Sequence, residues 1–413
     1  MLKLLILTDD FTGALDTGVK FSEKGISTQV IVSTTWEEID TNCEVLVIDA
    51  ETRHVSQKTA YERIYQICKK AKQQGVLNIY KKTDSALRGN AGCEIQAVQD
   101  AYKDRRVMFI PSLPKMNRVV KDAILYIDGV PVTESVFGQD PFEPVQEDRV
   151  DEILKITGYK KCISLISNNK YKIDNISDLL LFDAETQNDL KQIANLVEEK
   201  TENFIFAGCA GFAENLPEIL NLEKDNTKKY KTKSNLIFIC RSVNPITKSQ
   251  IRYAQKLGIP KITLKPEEKL NQEYWDKEKA KNKINEIIEN KGQHFIIDSN
   301  DVSDNHETMD YAREKNWNIQ EIRIRISQTL GYLTKKIIDK GLNGTFLISG
   351  GDTLLGFMNA VDCNELEPVK EICPGCVLTR LEYKNQDYFI ITKSGGFGQE
   401  RLIEKLIDLI KED

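Results

Sequence analysis

The sequence has few histidines, three among 413 residues, and no apolar run that approaches the roughly 20 residues needed to cross a bilayer. A helical membrane span is therefore not expected. The opening LKLLIL is too short for a signal peptide and lacks a small-residue cleavage site, so it reads as a strand in a cytoplasmic protein. Basic excess is also missing. The formal net charge of −6 argues against a broad nucleic-acid footprint. The Walker loop GxxxxGK[ST] and the dinucleotide fingerprint GxGxxG are both absent. There is no repeat of fixed period and no long low-complexity tract.

Metal-ligating sets are scarce as well. His54, His294 and His306 are dispersed, and Cys373-Pro374-Gly375-Cys376 has no second CxxC to complete a zinc site. The nine cysteines are odd in number and scattered. Cys68, Cys93, Cys162, Cys209 and Cys240 lie in apolar or helical contexts and read as reduced, buried small residues. The CxxC precedes the strand-like VLTRLEY, so its Pro-Gly reads as a turn, with a redox dithiol as the alternative.

What remains is an ordinary globular composition, 40% hydrophobic and 29% charged, in a chain long enough for two domains. Strand-like runs alternate with helical patterns: LKLLILT, EVLVIDA, NIYKKT, VMFIPS, LLLFDA and FIFAGCAGF, then LIFIC, TFLIS and YFIIT. Alternation of this kind predicts an α/β fold of two domains, each a mainly parallel sheet flanked by helices, with ligands at the C-terminal strand ends. YIDGVPV carries a hairpin signal at Asp128-Gly129. The lysine-rich, apolar-poor stretch EKDNTKKYKTKSN reads as a solvated linker. The expected domains are residues 1–225 and 236–413, joined by 226–235. Residues 266–291, dense in Lys and Glu with Trp275, Ile284, Ile287 and Ile288 as a sparse apolar stripe, read as an exposed amphipathic helix.

Three clusters could carry chemistry. Asp9 and Asp10 follow the first strand, where adjacent carboxylates repel unless a cation or hydroxyls engage them. The alternative is an N-cap aspartate beside an exposed one. Arg53, Lys82, Asp84, Ser85 and Arg88 fall just after other strands of the same half, so one sheet edge presents them together, with Arg118 a further candidate. Facing the acidic pair, these cations suit a small hydroxylated anion. In the second half, SGGDT (Ser349 to Thr353) and KSGGFG (Lys393 to Gly398) each follow a strand and are expected to open a helix. Ser242 and Asn244 follow a third strand. Backbone N–H groups at such turns suit phosphate.

These motifs together resemble the four-carbon acid sugar kinases. The resemblance runs through LTDDFTGALDTGVKFSEKG, DAETRHVS, KKTDSALRGNAGCEI, FIPSLPKMNR, GVPVTESVFGQDPFEPV, AGCAGFAENL, RSVNPIT, SGGDT, PGCVLTRLEYK and ITKSGGFGQE. It implies a sugar-acid-binding N-terminal domain, an ATP-binding C-terminal domain and an active site in the cleft between them. The reaction implied is phosphorylation of the terminal hydroxyl of D-threonate, with D-erythronate or 3-oxo-tetronate as alternatives and 4-hydroxythreonine as a further acceptor. Asp9, Asp10, Arg53, Lys82, Asp84, Ser85 and Arg88 are implied substrate contacts, and Asp10 is the candidate base. Ser242, Asn244, Gly350, Gly351, Asp352, Thr353, Lys393, Gly395 and Gly396 are implied ATP contacts, with Asp352 a candidate Mg²⁺ ligand.

On this reading Arg53 and Arg88 hold the substrate carboxylate, and closure about the linker excludes water. Two departures stand out from the family pattern. Arg241 replaces the glycine of a GSxSxxT loop, and Asp352 stands where Glu is common. The expected partners are a small sugar acid and ATP, without nucleic acid or membrane, and a homodimer is the candidate assembly. A non-catalytic sugar-acid sensor is the competing reading from another class.

Overall fold

The computed structural model describes residues 2–36, 43–140, 144–167, 171, 173, 176–197, 201–224, 230–301, 306–393 and 397–412. The chain divides into two compact units, Met1–Thr227 and Lys228–Asp413.

The strands of the first unit are β1 (Leu4–Thr8), β2 (Thr28–Val32), β3 (Val45–Asp49), β4 (Asn78–Lys82), β5 (Arg106–Ile110), β6 (Arg118–Lys121), β7 (Ile124–Ile127), β8 (Val130–Pro131), β9 (Ile163–Ile166), β10 (Leu179–Phe182) and β11 (Phe204–Gly208). Its helices are α1 (Phe11–Ser22), α2 (Gln57–Gln73), α3 (Ala91–Ala101), α4 (Val150–Ile156), α5 (Gln187–Asn195), α6 (Ala210–Ala213) and α7 (Leu216–Ile219). The main sheet runs β2-β3-β1-β4-β11-β5-β10-β9, with parallel pairing among its described residues. Its inner strands β1 and β3 are buried along all five residues, as in a sheet covered on both faces. Each large aliphatic side chain taken from water contributes about 1.5–3 kcal/mol. β6, β7 and β8 form a separate antiparallel hairpin system, with Asp128 and Gly129 both at positive φ in the β7–β8 turn.

The second unit holds β12 (Leu236–Cys240), β13 (Lys261–Thr263), β14 (Phe295–Asp298), β15 (Thr345–Ser349), β16 (Glu365–Cys373), β17 (Cys376–Tyr383) and β18 (Gln386–Lys393). Its helices are α8 (Pro245–Lys256), α9 (Pro266–Leu270), α10 (Ala280–Glu289), α11 (His306–Glu314), α12 (Ile319–Asp339), α13 (Gly351–Ala360) and α14 (Leu402–Glu412). The order β13-β14-β12-β15-β18 is parallel, and β17 and β16 extend it antiparallel. Helices α12 and α13 cross where Gly331 meets Gly356. A Cβ on Gly331 would lie 2.1 Å from the Gly356 carbonyl carbon, so only glycine admits this contact.

Both sheets reverse direction of growth at their first strand. The chain continues from β1 to β3 on one side and β4 on the other, and from β12 to β14 and β15. The C-terminal ends of β1 and β12 are therefore topological switch points, where a crevice opens for ligands.

Three expectations need correction. Residues 266–291 do not form one exposed helix. Pro266 starts α9, the extended backbone of Asn271 (φ −122°, ψ 104°) ends it, and a 3₁₀ turn leads to α10. Trp275 is buried there and donates Nε1–H to the Glu268 carbonyl at 2.8 Å. Cys162 is exposed, whereas Cys68, Cys93, Cys209 and Cys240 are buried. The KSGGFG loop does not open a helix at once; α14 begins at Leu402, and residues 394–396, with Gly395 and Gly396, lie outside the described residues. Part of the expected linker, 226–229, also lies outside them. Cys373 and Cys376 carry no disulfide and pair across a hairpin whose turn is Pro374-Gly375.

Candidate active site

The acidic cluster forms at the end of β1. Thr8 pairs with Asp49 on β3 and Leu7 with Lys81 on β4. Parallel register therefore brings the residues after all three strands to one edge. Asp10 caps α1, accepting from the Gly13 N–H at 3.0 Å through Oδ1. The N-cap alternative is thus correct for Asp10, but its neighbour Asp9 is buried rather than exposed, at 2%.

Arg53 ties the aspartates together. Its Nε donates to Asp9 Oδ2 at 2.8 Å and its Nη1 to Asp10 Oδ2 at 2.7 Å, while Nη2 lies 3.4 Å from Asp84 Oδ1. Arg88 grips the same Asp84 in a fork, Nε to Oδ2 at 2.9 Å and Nη2 to Oδ1 at 3.0 Å. Asp84 Oδ2 also accepts the backbone N–H groups of Ala86 and Arg88, which shapes the loop. Burial alone would raise the Asp84 carboxyl; Arg53, Arg88 and Lys82 overcome it and hold the group far below the usual carboxylate range. Burial and the same opposition by Arg53, with Lys81 and Lys82, leave Asp9 lowered.

The expectation that Arg53 and Arg88 hold an incoming carboxylate therefore meets a different arrangement: their guanidiniums are engaged by the protein's own aspartates. Two other cations at this edge have no ion pair among the described residues. One is Lys82, 5% exposed. Its Nζ would lie 2.7 Å from a Cβ at Gly13, and Asp10 Oδ1 2.6 Å from it, so a side chain there would displace both groups. The other is Arg118, at the start of β6, whose Nη1 donates to Ser85 Oγ. A cavity of about 340 Å³ flanks Arg53 and Arg88 and is lined also by Leu87, Asn90, Glu147 and Thr157.

Supporting residues escaped the sequence reading. Lys81 points to the opposite face from Lys82, as period-two alternation requires. It pairs with Glu94 of α3 at 2.9 Å, both side chains being almost wholly buried. Asn90 Nδ2 donates to the carbonyls of Thr52 and Val55, fixing the loop that carries Arg53. Asp9 Oδ1, Thr52 Oγ1 and Thr83 Oγ1 are buried without a hydrogen-bond partner among the described residues, which marks the edge as polar and unsatisfied there.

In the second unit, Ser349 pairs with Cys240 on one side and Lys393 on the other. The segments after β12, β15 and β18 consequently emerge together. Gly350, at φ +95°, caps α13, and its N–H donates to the Lys393 carbonyl at 3.0 Å. Ser349 Oγ and Thr353 Oγ1 flank this turn, buried and without hydrogen-bond partners among the described residues. Asn244 caps α8 through Oδ1 to the Ile246 N–H, and Ser242 Oγ accepts from the Asn244 N–H. Lys393 is buried, donates to Thr247 Oγ1 at 3.0 Å, and is pushed below its ordinary pKa by that burial.

Gln250 donates to the carbonyls of Phe397 and Gln399, and a Cβ at Gly375 would strike the Phe397 ring at 2.6 Å. The CxxC turn thus packs against the loop that follows β18. The Asp352 carboxylate accepts from Arg241 at 2.9 Å, and Arg323 lies 3.7 Å away. Among the described residues no cluster of three His, Cys, Asp or Glu side chains is placed to hold a metal, and no helix is long and apolar enough to cross a membrane.

Comparison with known proteins agrees with this division. Residues 4–216 match a sugar-binding N-terminal domain and residues 237–403 a nucleotide-binding C-terminal domain. The chain is 24% identical to a D-threonate kinase of Salmonella typhimurium, covering 100% of this chain and 99% of that protein. It is 22% identical to a D-erythronate kinase of Heliobacterium modesticaldum, covering 92% and 90%, and 21% identical to a 3-oxo-tetronate kinase of Haemophilus influenzae, covering 97% and 98%. A solved structure of a Salmonella typhimurium LT2 protein shares the fold, with a TM-score of 0.79 at 18% identity over 98% of this chain and 99% of that one. With a sugar-binding domain followed by a nucleotide-binding domain along its length, the chain belongs to the four-carbon acid sugar kinase family.

Proposed function

We propose that the protein transfers the γ-phosphoryl group of ATP to the terminal hydroxyl of a four-carbon sugar acid. D-threonate is the preferred substrate on this reading. D-erythronate and 3-oxo-tetronate are the alternatives within the class, and 4-hydroxy-L-threonine is a further acceptor. The observation that carries the reading is the polar edge after β1, β3 and β4, where three aspartates and four cations converge beside buried hydroxyls that lack partners.

Phosphoryl transfer needs alignment and charge neutralisation more than covalent help. Asp10, held by Arg53 and the start of α1, orients the attacking hydroxyl and accepts its proton. Lys82, across Gly13 from Asp10, offsets charge on the transferring group. The turn Gly350–Thr353 cradles nucleotide phosphates through backbone N–H groups, with Ser349 and Thr353 offering hydroxyls. Mg²⁺ enters as part of Mg-ATP, carried by phosphates and water. The described residues do not fit a resident ion, since Asp352 is a single carboxylate already facing two arginines.

The test is ADP release with Mg-ATP against D- and L-threonate, D- and L-erythronate, 3-oxo-tetronates and 4-hydroxy-L-threonine. Turnover on one acid above the rest identifies the substrate. Thermal stabilisation by an acid without any ADP release selects the sensor instead.

A further inference from the structure

Four cations gather at the edge after β1, β3 and β4, and their partners differ. Arg53 and Arg88 are bonded to Asp9, Asp10 and Asp84, which leaves them little capacity for an outside anion. Arg118 is different. Its single side-chain hydrogen bond to a described residue is from Nη1 to Ser85 Oγ, so no described residue uses the Nε–Nη2 edge of the guanidinium. That edge has the fork geometry that receives a carboxylate through two parallel hydrogen bonds.

The surroundings fix the group in place. Phe137 lies against both Arg118 and Arg88, each guanidinium carbon 5.0 Å from the ring centroid. Ser85 belongs to the loop that Asp84 organises, and its hydroxyl accepts from Arg118, leaving its own O–H to donate. Burial pushes the Arg118 guanidinium below its ordinary range, with Asp84 opposing from a distance. A desolvated cation that meets no carboxylate among the described residues gains most from an arriving anion.

We infer that Arg118, with Ser85 beside it, is the residue that grips the carboxylate of the substrate acid, and that Arg53 and Arg88 instead order the aspartates. This rests on the four-carbon acid reading above. The carboxylate accepts Nε–H and Nη2–H of Arg118 and the Ser85 O–H, which points the far end of the acid back along the edge towards Asp10 and Lys82. Arg118 thus sets specificity for an acid over the corresponding uncharged polyol.

The test compares the accepted acid with its tetritol, which keeps the hydroxyls and lacks the carboxylate. Binding to wild type, R118Q, R118K and S85A is measured by titration calorimetry, and KM for ATP by ADP release. R118Q is expected to weaken acid binding roughly tenfold to a hundredfold and to leave tetritol binding and the KM for ATP unchanged. R118K, which keeps the charge without the fork, is expected to fall between R118Q and wild type. S85A is expected to weaken the acid severalfold and not the tetritol, and it carries the test if R118Q does not fold. Equal losses for acid and tetritol, or a rise in the KM for ATP instead, overturn the assignment while the kinase reading stands. A wild-type protein that binds no four-carbon acid overturns both.

Discussion

Arg241 Nη2 donates to Asp352 Oδ2 across 2.9 Å, so the two residues singled out in the sequence as departures touch each other. A guanidinium after β12 is met by a carboxylate in the first turn of α13. The Asp352 side chain is 53% exposed, so the pair contributes little to stability, at most about 1 kcal/mol. Its effect falls on what else Asp352 can bind.

Because Arg241 and Arg323 already face Asp352, Mg²⁺ is expected to stay on the ATP phosphates, and R241Q and D352N should each leave the Mg²⁺ concentration for half-maximal turnover within about twofold of wild type. Mg²⁺ titration of ADP release at fixed ATP measures both. A rise of roughly tenfold in D352N alone would instead give Asp352 a place on the metal.

Gly13→Ala places a methyl group within 2.6 Å of Asp10 Oδ1 and 2.7 Å of Lys82 Nζ. One of them must move. The expected loss in kcat/KM for the acid is about a hundredfold, with the KM for ATP unchanged, because a shift of about 1 Å at a reacting centre has that effect. Steady-state kinetics with each substrate varied in turn decides it.

Asp9 and Asp84 carry lowered pKa values in the fold, burial being outweighed by Arg53 and its neighbours. As pH falls, the unfolded chain takes up their protons first. The stability they contribute is complete above the ordinary carboxylate range and is lost as pH falls through about 4 towards the lowered folded values. Thermal melts from about pH 7 to about pH 3 should show this decline in wild type. D84N, which strands Arg88 and part of Arg53, is expected to be about 3–5 kcal/mol less stable at neutral pH and to decline less steeply with acid.

Asp49 has the opposite sign. Burial pushes its carboxyl well above the usual range; among the described residues Oδ1 accepts the Glu51 N–H and Oδ2 has no partner. The folded protein keeps this proton where the unfolded chain has released it, so stability falls as pH rises from the ordinary value through the raised one. D49N, neutral throughout, is expected to gain on wild type as pH rises and to lose the advantage near pH 4, at about the unfolded pKa. Melts of the two proteins across that interval test the sign.

Cys376→Ser is expected to leave turnover unchanged, since the two thiols flank a turn and no disulfide joins them. Gly375→Ala is expected to raise the KM for ATP, because its Cβ collides with Phe397 and its φ of +75° disfavours a side chain. If C376S abolished turnover, the dithiol would have a chemical role after all.

The strands were legible because parallel strands covered on both faces read as unbroken apolar runs; LIFIC coincides with β12. Site residues were legible by position, since a charged residue after such a run must lie at the sheet edge. Their pairings were not. Arg241 and Asp352 are separated by 111 residues, and nothing local links them. Nor does spacing say that Arg53 serves three aspartates. Alternation along NIYKK implies that Lys81 and Lys82 face opposite ways, which was the available sign of the buried Lys81–Glu94 pair. The break at Asn271 was hidden by the density of charge around it, and that density made a buried Trp275 look solvated.

The glycine contact between α12 and α13 has a mechanical consequence. Two helices whose backbones touch at Gly331 and Gly356 cannot slide past one another without separating. One of them begins at the Gly350 turn, and the other ends at Asp339, clamped by Lys335, Lys384 and Tyr383. Occupancy of the turn is therefore expected to slow amide exchange in α12 around Gly331 as well as at the turn itself.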